Sequence, residues 1–336
     1  MINEAIKKLV ENQDLTYEEA EGVMDEMMSG KDTNSQIATF LTALRMKGET
    51  IEEITACAQG MRDKALHINP KKDVLDIVGT GGDGTGTFNI STTSAFVISA
   101  AGVPVAKHGN RSMSSKSGAA DCLESLGINI TISPEKSAQI LDKADICFMF
   151  AQGYHSSMKY VGPVRKEMGI RNVFNILGPL TNPANANMQV MGVYSEKLVE
   201  PLAKVLSNLG VKRGMVIYGC DGMDEATVTC DTKVCEIDNG KFKTYNVNPE
   251  KVGLKTYPME DLIGGNGEEN AEITQQILKG QLKGAKRDIA LLNSAMGIYI
   301  GGKAQSIEEG VKIAAEIIDS GKALAKMEEF VKLSNQ

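Results

Sequence analysis

Apolar positions recur with two different periods along this chain, and the change of period divides it. From Ile2 to about residue 65 the spacing is helical. Ile2, Ile6, Leu9 and Val10 share one face, as do Ala20, Val23, Met24 and Met27, and again Ile37, Phe40, Leu41 and Leu44. Thr16 with Glu19 and Thr50 with Glu53 have the spacing of capping boxes, Asn34 is a candidate cap for the third helix, and Gly30 stops the second. Four short amphipathic helices offer more apolar face than so small a bundle buries alone. The rest of the chain or a second subunit is expected to cover the surplus. Asn69-Pro70 ends this run.

After Pro70 short apolar runs alternate with helical stretches. The pattern predicts strands at 74–78, 103–106, 146–150, 190–193 and 215–218, with helices at 91–101, 117–126, 134–144 and 196–209 between most of them. This alternation predicts an α/β fold: a small all-helical N-terminal domain followed by a larger α/β domain with a mostly parallel central sheet. Residues 159–183 break the rhythm with one helical stretch and the turn-rich run FNILGPLTNP. Beyond Lys233 a hairpin (234–237 and 241–245) leads into helices, clearest at 289–294 and 306–318, that read as scaffold.

The length, 336 residues, exceeds what one core usually organises, so two domains are expected. A net charge of −7 argues against nucleic acid as the main partner, because phosphate neutralisation needs a basic face. No apolar run reaches membrane-spanning length, and the N-terminal MINEAIKKLVENQ lacks the apolar core of a signal peptide. A cytoplasmic protein that engages no membrane is the expectation. The six cysteines form no C-x-x-C pair, so buried free thiols are expected rather than a metal or redox site.

Candidate chemistry concentrates between residues 73 and 127. Five glycines fall in eight residues, Gly79 to Gly86, directly after the first strand. Gly79, Gly81 and Gly84 fit G-x-G-x-x-G, but no acid follows about 20 residues on to hold a nicotinamide ribose, and Gly84 precedes Thr85 rather than the Lys of a P-loop. What survives is a strand-to-helix turn whose backbone amides approach an anion. No Asp or Glu occurs between Asp83 and Asp121, while Lys107, His108, Arg111 and Lys116 do, a balance suited to a polyphosphate. In a sheet of this type the ligand lies beyond the carboxyl ends of the strands. Every motif is expected there: the glycine loop after the first strand, Lys107 to Asn110 after the second, His155 after the third, and Asp224-Glu225 after the last. Neighbouring carboxylates share a site only in a loop, and oxygen-only ligands favour magnesium carried by phosphates.

The segments GTGGDGTGTFNIST, KHGNRSMSSKSGAADCLESLG and VRKEMGIRNVFNILGPLTNP, with the pair Asp224-Glu225, together resemble the anthranilate phosphoribosyltransferases over nearly the whole chain. The resemblance implies transfer of the phosphoribosyl group of 5-phosphoribosyl 1-diphosphate to the amine of anthranilate, in tryptophan biosynthesis. It implies that the diphosphate sugar meets Gly79, Gly82, Asp83, Thr87 and the run Asn89, Ile90, Ser91 and Thr92. The same ligand would meet Lys107, His108, Gly109, Asn110, Arg111, Ser112, Met113, Ser114 and Ser115, and then Ala119, where several relatives have Ser. Lys107 would stabilise the transition state together with the metal. Anthranilate would meet Gly79, His108, Gly109, Asn110, His155 and Arg165, with Arg165 on its carboxylate. Ser91, Asp224 and Glu225 would hold Mg²⁺, with two ions expected.

The resemblance also implies that residues 159–185 join the helical domain of residues 1–70, leaving 71–158 and 186–336 as the α/β domain and a cleft between the two. It further implies a homodimer formed through the helical domain, and possible association with the glutamine amidotransferase of anthranilate synthase. Two departures bear on the anthranilate channel: HSSMK stands where the family usually has HPAMK, and IRN where it has IRT. Ser91 at the mouth of a helix is also readable as a simple N-cap, and His155 as an ordinary loop histidine. Two other readings remain open: a pyrimidine nucleoside phosphorylase, and a non-catalytic nucleic-acid-binding relative with a basic cleft and no metal acids.

Overall fold

Capping fixes the ends of the N-terminal helices in the computed structural model, which describes residues 1–112 and 116–336. Helices α1 (Ile2–Val10), α2 (Tyr17–Met28), α3 (Asn34–Lys47) and α4 (Ile51–Asp63) form the bundle. Thr16 and Glu19 exchange side-chain and backbone bonds at the start of α2, as do Thr50 and Glu53 at α4. The third box is Thr33 with Gln36, so Thr33 is the cap and Asn34 is the first helical residue. A threonine hydroxyl with a glutamine three residues on satisfies both orphan amides, which Asn34 does not do from one position later.

The α/β part runs β1 (Leu75–Gly79), α5 (Ile90–Ala100), β2 (Val105–Gly109), α6 (Ala119–Ser125), α7 (Pro134–Ala144), β3 (Ile146–Phe150), α8 (Ala151–Tyr154), α9 (Met158–Met168), α10 (Phe174–Leu180), β4 (Met188–Gly192), α11 (Val199–Asn208) and β5 (Arg213–Gly219). It continues with β6 (Thr232–Asp238), β7 (Lys241–Val247), α12 (Gly267–Leu278), α13 (Ala285–Ile300), α14 (Ile307–Asp319) and α15 (Lys322–Ser334). Among the described residues the strands form one sheet in the order β3-β2-β1-β4-β5-β6-β7. The first five are parallel. The hairpin adds β6 and β7 antiparallel across an Asn239-Gly240 turn, both residues at positive φ, as such a tight turn requires.

Strand side chains alternate between two layers. Val190, Met215, Ile217 and Val234 face a core shared with α5 and α13, while Met191, Val216, Cys235 and Ile237 face one shared with α11 and the N-terminal bundle. Helix α9 packs on α2 and α3, and α10 on α4, so the apolar surplus of the bundle is covered in part by this inserted segment. Val10 and Met46 remain on the surface.

Several boundaries differ from the sequence reading. Strand β2 begins at Val105 and includes Lys107, His108 and Gly109, which therefore lie in the sheet and not in a loop after it. Val103, read as strand, instead follows the Gly102 turn outside any strand, its buried side chain against Gly301. Cys57, Cys122, Cys147 and Cys235 are buried thiols, but Cys220 is exposed and Cys230 half-buried, because both sit in the loop between β5 and β6 and not in either strand. No helix among the described residues is long and apolar enough to cross a membrane.

Candidate active site

The chain crosses from one half of the sheet to the other between β1 and β4, and the loops beyond these strand ends diverge there to open a crevice. Gly79 and Gly192 pair at that point. Neither position has room for a side chain: a Cβ on Gly79 would lie 2.3 Å from Asp224 Oδ2, and one on Gly192 would lie 1.6 Å from the Asp224 carbonyl oxygen. Both glycines let the Asp224-Glu225 loop, which connects β5 to β6, lie directly on the strand ends.

The glycine loop closes over the same place. Gly81, Gly82, Gly84 and Gly86 all have positive φ, between 70° and 76°, which explains the glycine density that no tight turn alone demands. Gly81 N–H donates to Asp224 Oδ2 (2.6 Å), and Asp224 N–H donates to Asp83 Oδ2 (3.4 Å). Thr85 Oγ1 donates to the same Asp83 carboxylate (2.6 Å). Thr87 bridges to Ile263, closing the loop onto the segment before α12.

Helix α5 begins at Ile90, so Ser91 lies inside its first turn and is not the N-cap; Asn89 occupies the cap without a capping side-chain bond. Asn89 Oδ1 instead accepts from Ser117 Oγ and from Asn270 Nδ2, each at 2.9 Å. Ser91 N–H donates to Glu225 Oε1 (3.2 Å), and Ser91 Oγ accepts from Lys107 Nζ (3.2 Å). Ile90 and Thr92 are buried beneath this turn, and Thr92 Oγ1 has no hydrogen-bond partner among the described residues.

Lys107 is buried, and its ammonium also donates to the Ile77 carbonyl of β1. Beside it, Asp76 Oδ1 accepts the His108 amide (3.2 Å) and Asp76 Oδ2 accepts from Asn182 Nδ2 (2.7 Å), which donates to the Ala106 carbonyl as well (2.8 Å). Beyond the Leu75–Val105 pair, side chains thus tie β1 to β2. Burial lowers the Lys107 pKa while the charges of Asp76, Glu225 and Asp224 oppose that shift. Burial raises Asp76 to about 6.

The acids form the electrostatic problem of the site. Burial, reinforced by the charge of Asp83, pushes Asp224 up to about 7. Burial and then Asp224 push Glu225 up to about 8, against the pull of Lys107. No group of three or more His, Cys, Asp or Glu side chains among the described residues is arranged to hold an ion by itself. Two close carboxylates that resist ionisation, with too few partners for a closed cage, fit a magnesium ion that shares its remaining oxygens with a phosphate-bearing ligand.

A second group of polar atoms lines α10. His108 lies against the Gly178 backbone and His155 against that of Thr181, with their rings 5.1 Å apart, and the Arg165 guanidinium sits 5.1 Å from the centre of the Phe174 ring. His108 Nε2, both ring nitrogens of His155 and Arg165 Nε are buried without a hydrogen-bond partner among the described residues. Buried polar atoms are seldom left unpaired, so these mark a place for a ligand or water. Burial holds His155 down at about 4 and His108 well below the usual range, so both rings are neutral near pH 7.

Arg111, just after β2, turns toward α6. It donates to Asp121 (2.8 Å) and Glu124 (2.5 Å) on α6, and its guanidinium lies 5.5 Å from the Phe150 ring centre. The Asn110 carbonyl accepts the Ala120 amide and Asp121 accepts the Ser112 amide, so residues 110–112 are bound to α6. Gly109 has no room for a side chain between Phe148 and Ala119, whose Cβ would be 3.2 Å from an added one. Met113, Ser114 and Ser115 lie outside the described residues. Ser156 is exposed, and Asn172 caps the entry to α10 by accepting the Phe174 amide (3.1 Å), a bond a threonine hydroxyl also makes.

Sequence reasoning missed four supporting residues. Asp76 is an acid within an apolar strand, a signal visible in DVLDIVG; Asn182 lies in the FNILGPLTNP run. Asp221 accepts from Thr227 Oγ1 (2.6 Å), Thr229 Oγ1 (2.5 Å) and the Met223 amide (3.1 Å), folding the acidic loop on itself. Asn293, on a helix read as scaffold, exchanges bonds with both backbone groups of Ala226 (3.0 and 2.8 Å) and so anchors that loop from below.

Comparison with known proteins agrees with this geometry. A family model for the glycosyl transferase family helical bundle domain matches residues 3–65, and one for the a/b domain of the same family matches residues 71–324. The chain is 58% identical over 335 residues to the anthranilate phosphoribosyltransferase of Methanobrevibacter smithii, covering 100% of each. It is 57% identical to that of Ruminiclostridium cellulolyticum, covering 100% of this chain and 98% of the relative. The crystal structure of anthranilate phosphoribosyltransferase from Thermus thermophilus superposes with a TM-score of 0.94 at 43% identity, over 99% of both chains. The Saccharomyces cerevisiae enzyme in complex with PRPP and Mg superposes with a TM-score of 0.91 at 29% identity, over 99% of this chain and 98% of that one. With both its helical and its α/β portions matched end to end by such relatives, the chain belongs to the anthranilate phosphoribosyltransferase family.

Proposed function

We propose that this enzyme joins the amine of anthranilate to C1 of the ribose of 5-phosphoribosyl 1-diphosphate. The C1–N bond forms as the C1–O bond to the diphosphate breaks; diphosphate leaves with the electron pair, the amine proton passes to solvent, and the product is N-(5-phosphoribosyl)anthranilate. The observation that carries this reading is the convergence of the glycine loop, Lys107 and the Asp224-Glu225 loop on the β1–β4 crevice. The reading is also supported by yeast structures of the family in complex with PRPP and Mg and with 4-fluoroanthranilate.

An aryl amine is already unprotonated near neutral pH, so no strong base is needed. The difficulty is the departing diphosphate, and the site answers with charge and position. Lys107, held between Ile77 and Ser91, presents a fixed ammonium. Magnesium, held by Asp224, Glu225 and Ser91, supplies charge neutralisation on the leaving diphosphate when bound, and we assign two ions. The glycine loop, with Asp83, Thr87 and residues 89–92, holds the diphosphate sugar. Arg165, with its free Nε, receives the anthranilate carboxylate, and the neutral rings of His108 and His155 line the aryl slot beside Asn110 and Gly109.

We assign residues 1–70 and 159–185 to one domain and the remainder to the other, and place the dimer contact on the helical bundle, where Val10 and Met46 are exposed. Association with the amidotransferase of anthranilate synthase and a cytoplasmic location complete this reading.

Loss of anthranilate fluorescence with phosphoribosyl diphosphate and Mg²⁺ tests it directly. Phosphorolysis of thymidine or uridine in its place would overturn it. Arg165→Ala is expected to weaken anthranilate by about 1.5–3 kcal/mol, the cost of a charge-assisted bond, and phosphoribosyl diphosphate far less. Equal loss of both would remove Arg165 from the carboxylate.

A further inference from the structure

Three residues of the glycine loop are tied to three different parts of the molecule. The Thr80 amide donates to the Gly192 carbonyl of β4, and Thr80 Oγ1 accepts the Tyr194 amide (3.2 Å). Gly81 donates to Asp224 Oδ2 (2.6 Å). Gly82, at positive φ, gives its carbonyl to the guanidinium of Arg171, which comes from the connection between α9 and α10. The central carbon of that guanidinium sits over the half-buried Tyr194 ring, 4.1 Å from its centre. Arg171 thus reaches from the segment packed on the N-terminal bundle to the phosphate loop, and Tyr194 is both its seat and the neighbour of Thr80.

The consequence follows from peptide geometry. In a trans peptide the carbonyl and the following N–H point in opposite directions, and this chain has no cis peptide among its described residues. With the Gly82 carbonyl held by Arg171, the Asp83 N–H faces away from the guanidinium. A glycine at positive φ would otherwise let this peptide turn over freely. We propose that Arg171, seated on Tyr194, is a positioning residue: it locks the Gly82–Asp83 peptide so that the Asp83 amide is presented to an oxyanion of the diphosphate. The proposal rests on the phosphoribosyl diphosphate reading above.

The test compares wild type with Arg171→Gln, Arg171→Lys, Tyr194→Leu and Tyr194→Phe, by steady-state kinetics and by hydrogen exchange of residues 79–88. Arg171→Gln is expected to raise KM for phosphoribosyl diphosphate about tenfold, to leave KM for anthranilate within about twofold, and to speed exchange in the loop, as loss of a charge-assisted bond implies. Tyr194→Leu should reproduce part of that pattern, while Arg171→Lys should recover part and Tyr194→Phe nearly all of it. An equal rise in both KM values, or unchanged KM with unchanged loop exchange, would overturn the positioning role. A wild-type protein that fails to use phosphoribosyl diphosphate would instead overturn the functional reading beneath it.

Discussion

At the residue scale, two features of the site are fixed by what lacks space or a partner. A Cβ on Gly192 would lie 1.6 Å from the Asp224 carbonyl oxygen, whereas one on Gly153 in α8 meets nothing within 4 Å. Gly192→Ala is expected to cost about 1–3 kcal/mol through forced displacement of the acidic loop, and to raise the Mg²⁺ concentration needed for half-maximal turnover. Gly153→Ala should be neutral or stabilising by about 0.5–1 kcal/mol, since it removes only helix-opposing backbone freedom. Thermal melts of both variants check the contrast, and equal effects would refute it. His155 gives a pH signature. Its folded pKa of about 4 lies below the ordinary value of 6.5, so the unfolded chain takes up the proton first as pH falls. Its contribution to stability is therefore full above pH 6.5 and lost on the way down to about 4. Urea midpoints at pH 7 and 4.5 should fall less for His155→Gln than for wild type, and parallel losses would show that His155 protonates on the surface.

At the scale of elements, the helix ends were legible and the reasons for some of them were not. The Thr50–Glu53 box sets the start of α4, but Glu53 does more than cap. Fully buried, it accepts from the Leu15 amide (2.9 Å), the Thr50 amide (2.8 Å) and the Lys47 ammonium (2.8 Å), tying the α1–α2 connection, the end of α3 and the start of α4 at one carboxylate. Glu53→Ala should cost about 2–4 kcal/mol, because it leaves the Leu15 and Thr50 amides without their acceptor and removes one of the two carboxylates on Lys47, Asp14 at 2.6 Å being the other. Chemical denaturation measures this, and a loss under about 1 kcal/mol would mean that water replaces the carboxylate. Strand β2 shows the opposite case. Lys107 and His108 were read as loop because cations and a histidine are rare inside a parallel sheet; what admits them is Asp76 and Asn182, from elsewhere in the chain.

At the scale of the whole molecule, the site is a meeting of charges that are distant in sequence. Asp83, Asp224 and Glu225 come together with Lys107 only because β1, β2 and the β5–β6 loop converge. Since Asp224 and Glu225 are held up at about 7 and about 8, Mg²⁺ must displace protons to bind. Apparent Mg²⁺ affinity, titrated with phosphoribosyl diphosphate present, should rise steadily from about pH 6 to about pH 8. In Asp224→Asn with Glu225→Gln, affinity should drop and that rise should vanish. A flat wild-type profile would mean that the ion does not sit on these carboxylates.

Periodicity and punctuation determined a great deal: which stretches are helix or strand, that the sheet is mainly parallel, and that a glycine loop and a pair of acids stand at strand ends. These are local properties, set by residues within a turn or two of one another. The roles of Asp76, Asn182, Arg171 and Asn293 belong to the tertiary structure, because each acts through a partner roughly 30 or more residues away, a separation across which no local pattern in the sequence carries information.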